Sequence, residues 1–122
     1  MSSILLSINP EHVNNIILGI KKYEYRTRVA KKDIEKIIVY CTSPTMKVLA
    51  EVEIIDIIQG DPEEVWNMTK GFSGITKDFF DDYFKNRKKA YAYKLGKVLE
   101  YKEPKELSDF GVKFAPQSFV YV

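Results

Sequence analysis

Four charged side chains crowd into one short stretch of this chain: Lys21, Glu24, Arg26 and Arg28, within the segment SINPEHVNNIILGIKKYEYRTR that runs from Ser7 to Arg28. If Tyr23–Arg28 is extended, Glu24, Arg26 and Arg28 point to one face and Tyr23, Tyr25 and Thr27 to the other. A carboxylate beside two guanidiniums stays ionised, because nearby positive charge favours its charged form. Arginine offers a planar fork that matches a phosphate or a base edge. Lys21, at the start of the same strand, reaches the same site. Such a group suits a polar ligand with anionic and donor edges, such as a nucleotide. The alternative is a solvated strand face with ordinary ion pairs, which contribute little.

Aromatic residues accompany the basic segments: Tyr23, Tyr25, Tyr40, Phe72, Tyr91 and Tyr93. Rings beside Lys and Arg form the usual stacking platform for single-stranded nucleic acid, and most small sheets also need such rings as core filling. Phe72 stands apart, between Gly71, Ser73 and Gly74 in a loop, where it serves either as a lid or as an anchor. Lys85, Arg87, Lys88 and Lys89 close a helix, where cations complement the dipole or track phosphate. Metal chemistry has no foothold. His12 and Cys41 are the only residues of their kinds and share no ligand spacing. Glu51, Glu53 and Asp56 leave a carboxylate-only Mg²⁺ site as an alternative, though outward-facing strand acids explain them better. A serine triad would have to use His12, which has no evident serine partner. No phosphate-binding glycine motif is present. We expect no cofactor.

The elements that must position these groups can be read in turn. Ile4–Ile8 is a short apolar run and reads as a buried strand. Asn9-Pro10-Glu11 supplies a cap, a proline for the first helical position and an acid for the first turn. Val13, Ile16, Ile17 and Ile20 recur at helical spacing, and Gly19 ends the helix in a left-handed cap. Tyr23–Arg28 is a strand and Lys31–Glu35 a helical turn. Lys36–Thr42 is a β-branched strand in which Cys41 is a core thiol. Ser43-Pro44-Thr45 makes a turn, and Val48–Ile58 is one long strand or two. Asp61-Pro62-Glu63-Glu64 starts a second helix. Thr76 caps a third, with Phe79, Phe80, Tyr83 and Phe84 on its apolar side. Ala90–Leu99 is a strand, Pro104–Leu107 a turn, and Gln117–Val122 a final strand. About six strands with helices between them, not in regular alternation, predict a small curled or closed sheet and argue against a doubly wound one.

At 122 residues, 45% hydrophobic and 13% aromatic, the chain reads as one domain, residues 1–122, with enough apolar material for a core. The net charge of +2 is mild, but it is unevenly spread. Residues 21–36 and 85–102 are basic, and Glu51–Glu64 carries six carboxylates and no Lys or Arg. A basic side and an acidic side follow. No apolar run approaches a membrane span and no signal peptide is evident, so we expect a cytoplasmic protein with no membrane partner. The closing strand could be an open edge, which predicts a monomer or a weak dimer.

The arrangement Gly19, Lys21, Tyr23, Glu24, Arg26 resembles the ASCH domain family of the PUA-like superfamily. The helix entry Asn9-Pro10-Glu11, Tyr40 with Ser43-Pro44, and Ala115-Pro116-Gln117-Ser118-Phe119 extend the resemblance over nearly the whole chain. It implies an α+β fold, a PUA-like small mixed or antiparallel β-barrel with about three flanking helices. It implies a cleft beside the barrel for RNA or a nucleotide, lined by Lys21, Glu24, Arg26 and Ser43 with Gln117 and Ser118 nearby. To these the residue reading adds Arg28 and Phe72. Some small bacterial members are amidohydrolases on N4-acetylcytidine and use a lysine, a threonine three residues on and a glutamate. Lys21 matches the lysine, but Glu24 stands at the threonine position. Other members are ribonucleases. Three functions are therefore expected in order: an RNA- or nucleotide-binding module, a small hydrolase using Lys21 and Glu24 with water as nucleophile, and a protein-interaction module.

Overall fold

The computed structural model describes residues 2–30 and 33–122. Six strands form one sheet in the order β2-β5-β4-β3-β1-β6, with β1 Ser3–Ile8, β2 Tyr23–Arg26, β3 Lys36–Cys41, β4 Lys47–Gly60, β5 Ala90–Lys105 and β6 Phe119–Tyr121. Three helices flank it: α1 Pro10–Ile17, α2 Pro62–Thr69 and α3 Lys77–Tyr83. Only β1 and β3 run parallel, in the register Ile4↔Ile37 to Ile8↔Cys41; every other pair is antiparallel.

The central strands are covered on both faces, which explains their unbroken apolar runs. Ile4, Leu6 and Ile8 of β1, with Ile37, Val39 and Cys41 of β3, pack against Val13 and Ile16 of α1 in the main core. Their alternates Leu5, Ile38 and Tyr40 join Val48 on the opposite face, under Leu107, Phe110 and Val112. A separate apolar cluster seats α2 and α3 on the sheet through Tyr25, Val65, Phe80, Phe84, Ala90 and Ala92. The register of β4 against β5 shifts between Val48 and Ala50, Val52 and Ile54, and Ile54 and Asp56. Such irregularities bend long strands, and the sheet curls into a half-barrel. The curl brings β2, at one end of the strand order, back to β1, the fifth strand: Arg26 Nη2 donates to the Ser7 carbonyl at 2.9 Å.

Several expectations need correction. α1 stops at Ile17, so Ile20 leaves the apolar stripe and is 54% exposed. Its end is the expected one, with Gly19 at φ +82°. β2 ends at Arg26, and Thr27–Arg28 bends away. Asp33–Glu35 forms no helical turn, and the first two residues of that expected turn, 31 and 32, lie outside the described residues. Pro104 and Lys105 still belong to β5, and the one turn of 3-10 helix falls later, at Leu107–Phe110. α2 has a full capping box from Asp61 and Glu64. Thr76 Oγ1 caps α3 by accepting from the Phe79 N–H at 3.1 Å. Among the described residues no helix is long and apolar enough to cross a membrane.

Candidate functional site

The Gly19–Arg26 segment crosses from α1 to β2 and is pinned on three sides. The Lys21 N–H donates to the Asn15 carbonyl of α1 at 3.0 Å, and the Lys22 N–H to the Phe72 carbonyl at 2.9 Å. The Lys22 carbonyl accepts from the Leu95 N–H of β5 at 2.9 Å. The Lys21 side chain is thereby directed inward and is only 3% exposed. Its Nζ donates to the Ser73 carbonyl at 2.8 Å and lies 4.9 Å from the centre of the Tyr25 ring. Gly74 makes room for the Lys21 stem. A Cβ on Gly74 would stand 2.5 Å from Lys21 Cβ and 2.7 Å from Cγ, and Gly74 itself sits at φ +69°.

Glu24, on β2, is 6% exposed. Its Oε2 accepts from Arg26 Nε at 3.1 Å and pairs with Arg26 Nη2 at 2.9 Å. Arg26 is thus clamped between this carboxylate and the Ser7 carbonyl. Behind them Tyr25 donates its hydroxyl to Thr69 Oγ1 at 2.7 Å, and burial pushes its phenol up to about 12. The solvated strand face is excluded: Lys21 and Glu24 are both buried, and the burial is what gives their charges force. Among the described residues Lys21 has no ion-pair partner within 4 Å, so burial holds its pKa below the ordinary lysine value, Glu24 opposing and Arg26 adding to the shift.

These side chains line a cleft of about 170 Å³ closed by Ser7, Ile8 and Asn9 at the end of β1, His12 on α1, Ile75, and Phe79 and Tyr83 on α3. His12 packs edge-on against Phe79, 5.6 Å between ring centres. Its Nδ1 is buried without a hydrogen-bond partner among the described residues. Burial, followed by the charge of Lys21, lowers its pKa from the ordinary 6.5, which keeps the ring neutral at pH 7. The cleft therefore holds two cations, one carboxylate tied to one of them, and a neutral imidazole. It can receive an oxyanion or a carbonyl at Lys21 and stack flat groups along α3. Among the described residues no cluster of His, Cys, Asp and Glu is arranged to hold a metal ion.

Of the residues expected at the site, Lys21, Glu24 and Arg26 converge here and the others do not line this cleft. Arg28 is exposed beyond the end of β2, because the strand alternation that placed it with Arg26 has already stopped. Ser43 is exposed in the β3–β4 turn. Phe72 is 53% exposed with Lys22 Nζ 4.6 Å from its ring centre, and it anchors through its carbonyl. Gln117 is exposed and Ser118 half-buried; their neighbour Pro116 accepts from Ser7 Oγ at 2.8 Å, behind the cleft wall. The sequence reading missed His12, Phe79 and Tyr83. A signal for His12 was present: it lies in the first helical turn after a strand end, a place where polar ligands are commonly met.

A family model described as ASCH domain matches residues 6–109. Part of a Ureaplasma parvum serovar 3 protein named ATP synthase subunit alpha is 30% identical over 122 residues, 98% of this chain but 15% of that protein. An ASCH domain-containing ribonuclease of Zymomonas mobilis subsp. mobilis is 28% identical over 92 residues, 75% of this chain and 62% of the relative. This chain thus spans less than two-thirds of either relative. The crystal structure of ASCH from Zymomonas mobilis superposes with a TM-score of 0.89 at 26% identity, covering 98% of this chain and 87% of that one. The six-stranded half-barrel with three helices is that α+β, PUA-like fold.

Proposed function

This chain belongs to the ASCH domain family, and we propose that its cleft binds RNA or a nucleotide in RNA metabolism or regulation. The carrying observation is the buried Lys21 ammonium, held by one carbonyl and by no carboxylate within ion-pair distance among the described residues. A buried cation with unspent donors is costly unless something anionic or strongly polar meets it. A phosphate oxygen or base carbonyl fits that need. Arg26, already oriented by Glu24 and Ser7, adds a guanidinium to the same wall. Glu24 accepts from a base amino group or keeps Arg26 in place.

A second reading, hydrolysis of RNA or of a modified nucleoside, is favoured by the Zymomonas relative named as a ribonuclease and by the neutral imidazole in the cleft. In that reading Lys21 stabilises the developing oxyanion, and Glu24 or His12 takes the proton of the attacking hydroxyl or water.

The test is direct binding of nucleosides, nucleotides and short RNAs across a salt series, with Arg26→Ala and Glu24→Gln alongside. Binding that weakens with salt and falls in Arg26→Ala supports the cleft. Turnover abolished by Glu24→Gln in a folded protein favours the hydrolase. Neither binding nor turnover refutes both and leaves a protein-interaction role.

A further inference from the structure

The charged cleft does not end at Phe79. A second depression of about 430 Å³ adjoins it, and the two share His12, Ile75 and Phe79 as a common wall. The far side of that wall is mostly apolar, floored by Ile20 and Gly74, with Glu11 at its lip. Two large apolar side chains lie open there, Ile20 at 54% and Phe79 at 48% exposure. The Phe79 ring packs edge-on, at 76°, against the His12 imidazole, and its backbone N–H is capped by Thr76. A half-open ring beside a cationic cleft is a platform on which a base can stack.

We propose that this apolar groove is a second subsite, which takes the base next to the nucleotide held at Lys21 and stacks it on Phe79. The preferred ligand is then single-stranded RNA of at least two nucleotides, and a free nucleoside or mononucleotide is a partial ligand. This rests on the reading of the charged cleft as an RNA site. Three observations assign the groove to a base and not to the sugar–phosphate backbone. Its floor is apolar. Its one carboxylate, Glu11, repels phosphate. The cations Lys21 and Arg26 lie in the cleft across the shared wall. A single strand entering the cleft must send its neighbouring base somewhere, and the groove that shares a wall with the cleft offers it an apolar surface.

The experiment measures dissociation constants of a mononucleotide and of the matching dinucleotide RNA on the full chain, and takes their ratio within each protein. The ratio cancels any damage a substitution does to the cleft itself. The wild type should hold the dinucleotide about tenfold or more tighter, the usual worth of one stacked base. Phe79→Leu keeps an apolar wall without a ring and should bring the ratio close to one; Phe79→Trp should preserve it. Ile20→Glu, on the groove floor alone, should also collapse it. Equal affinities in the wild type, or a ratio unmoved by Phe79→Leu and Ile20→Glu, would overturn the second subsite while leaving the charged cleft standing. No binding of either ligand to the wild type would overturn the cleft reading, and the subsite with it.

Discussion

Replacing Lys21 by methionine separates a binding lysine from a structural one. The methionine stem fills nearly the same volume over Gly74 and beside Tyr25, so packing is retained. Taking an ammonium out of water costs several kcal/mol even after relaxation. Against that stand one charged hydrogen bond to Ser73, worth about 1.5–3 kcal/mol, and one cation–π contact, worth up to about 2 kcal/mol when desolvated. Among the described residues no carboxylate lies within ion-pair distance to close the gap, and the longer-range attraction of Glu24 is offset in part by the repulsion of Arg26. The charge is therefore close to neutral or a net cost to the fold. Lys21→Met should be as stable as the wild type or up to about 2 kcal/mol more stable by the same terms, while its affinity for nucleotide or RNA drops at least about tenfold. The assay is urea unfolding in parallel with ligand titration. For a domain of this size 1 kcal/mol is a melting shift of about 3–6 °C, so calorimetry reads the same quantity. A variant that loses more than about 2 kcal/mol and still binds normally would refute the reasoning. It would mean that Lys21 is a structural cation and the cleft works without it.

Three further expectations follow from the same geometry. Gly74→Ala puts a methyl into the Lys21 stem at a left-handed φ, and should cost about 1–3 kcal/mol in urea unfolding and weaken binding as Lys21 shifts. Arg26→Ala leaves the buried Glu24 carboxylate without its partner and should destabilise by about 3–5 kcal/mol at neutral pH; Arg26→Ala/Glu24→Gln should recover part of the loss, as a double-mutant cycle would show. The His12 pKa lies lower in the folded chain than in the unfolded one, so the unfolded state takes up the extra proton. Stability should be complete above about pH 6.5 and decline as pH falls below it. His12→Gln should flatten that slope, and a wild-type unfolding midpoint rising steadily as pH drops from 7 to 5 would contradict the assignment.

What could be read in the chain was whatever depends on neighbours in sequence. β1 and β3 announced themselves because both faces of each are covered, which makes the apolar runs continuous. The α1 start was marked by Asn9-Pro10, although Asn9 makes no side-chain cap bond. Lys21, Glu24 and Arg26 were visible as a charge group. What could not be read was where alternation stops: nothing local marks Arg26 as the last residue of β2, and a strand two residues shorter than expected decided the fate of Arg28. The α3 wall of the cleft was equally hidden. Phe79 and Tyr83 read as apolar positions of a helix, and only the docking of α3 by Phe80 and Phe84 brings the other two rings to the cleft, Phe79 against His12. Ser7 entered for a similar reason, since the curl of the sheet brings its carbonyl to Arg26.

The pairing of β1 with β6 has a consequence for engineering. The Val122 N–H donates to the Ser3 carbonyl at 3.0 Å, so the polypeptide enters and leaves the sheet at one spot. A sheet whose first and last strands lie side by side can be spliced into a surface loop of an unrelated host without prying that loop apart. The same adjacency lets a short peptide bridge weld β6 to β1 while the chain is cut elsewhere, for instance in the exposed Ser43–Met46 turn. A chain rewired in this way should keep its sheet order and the geometry of its cleft, which would make this small half-barrel a portable cassette.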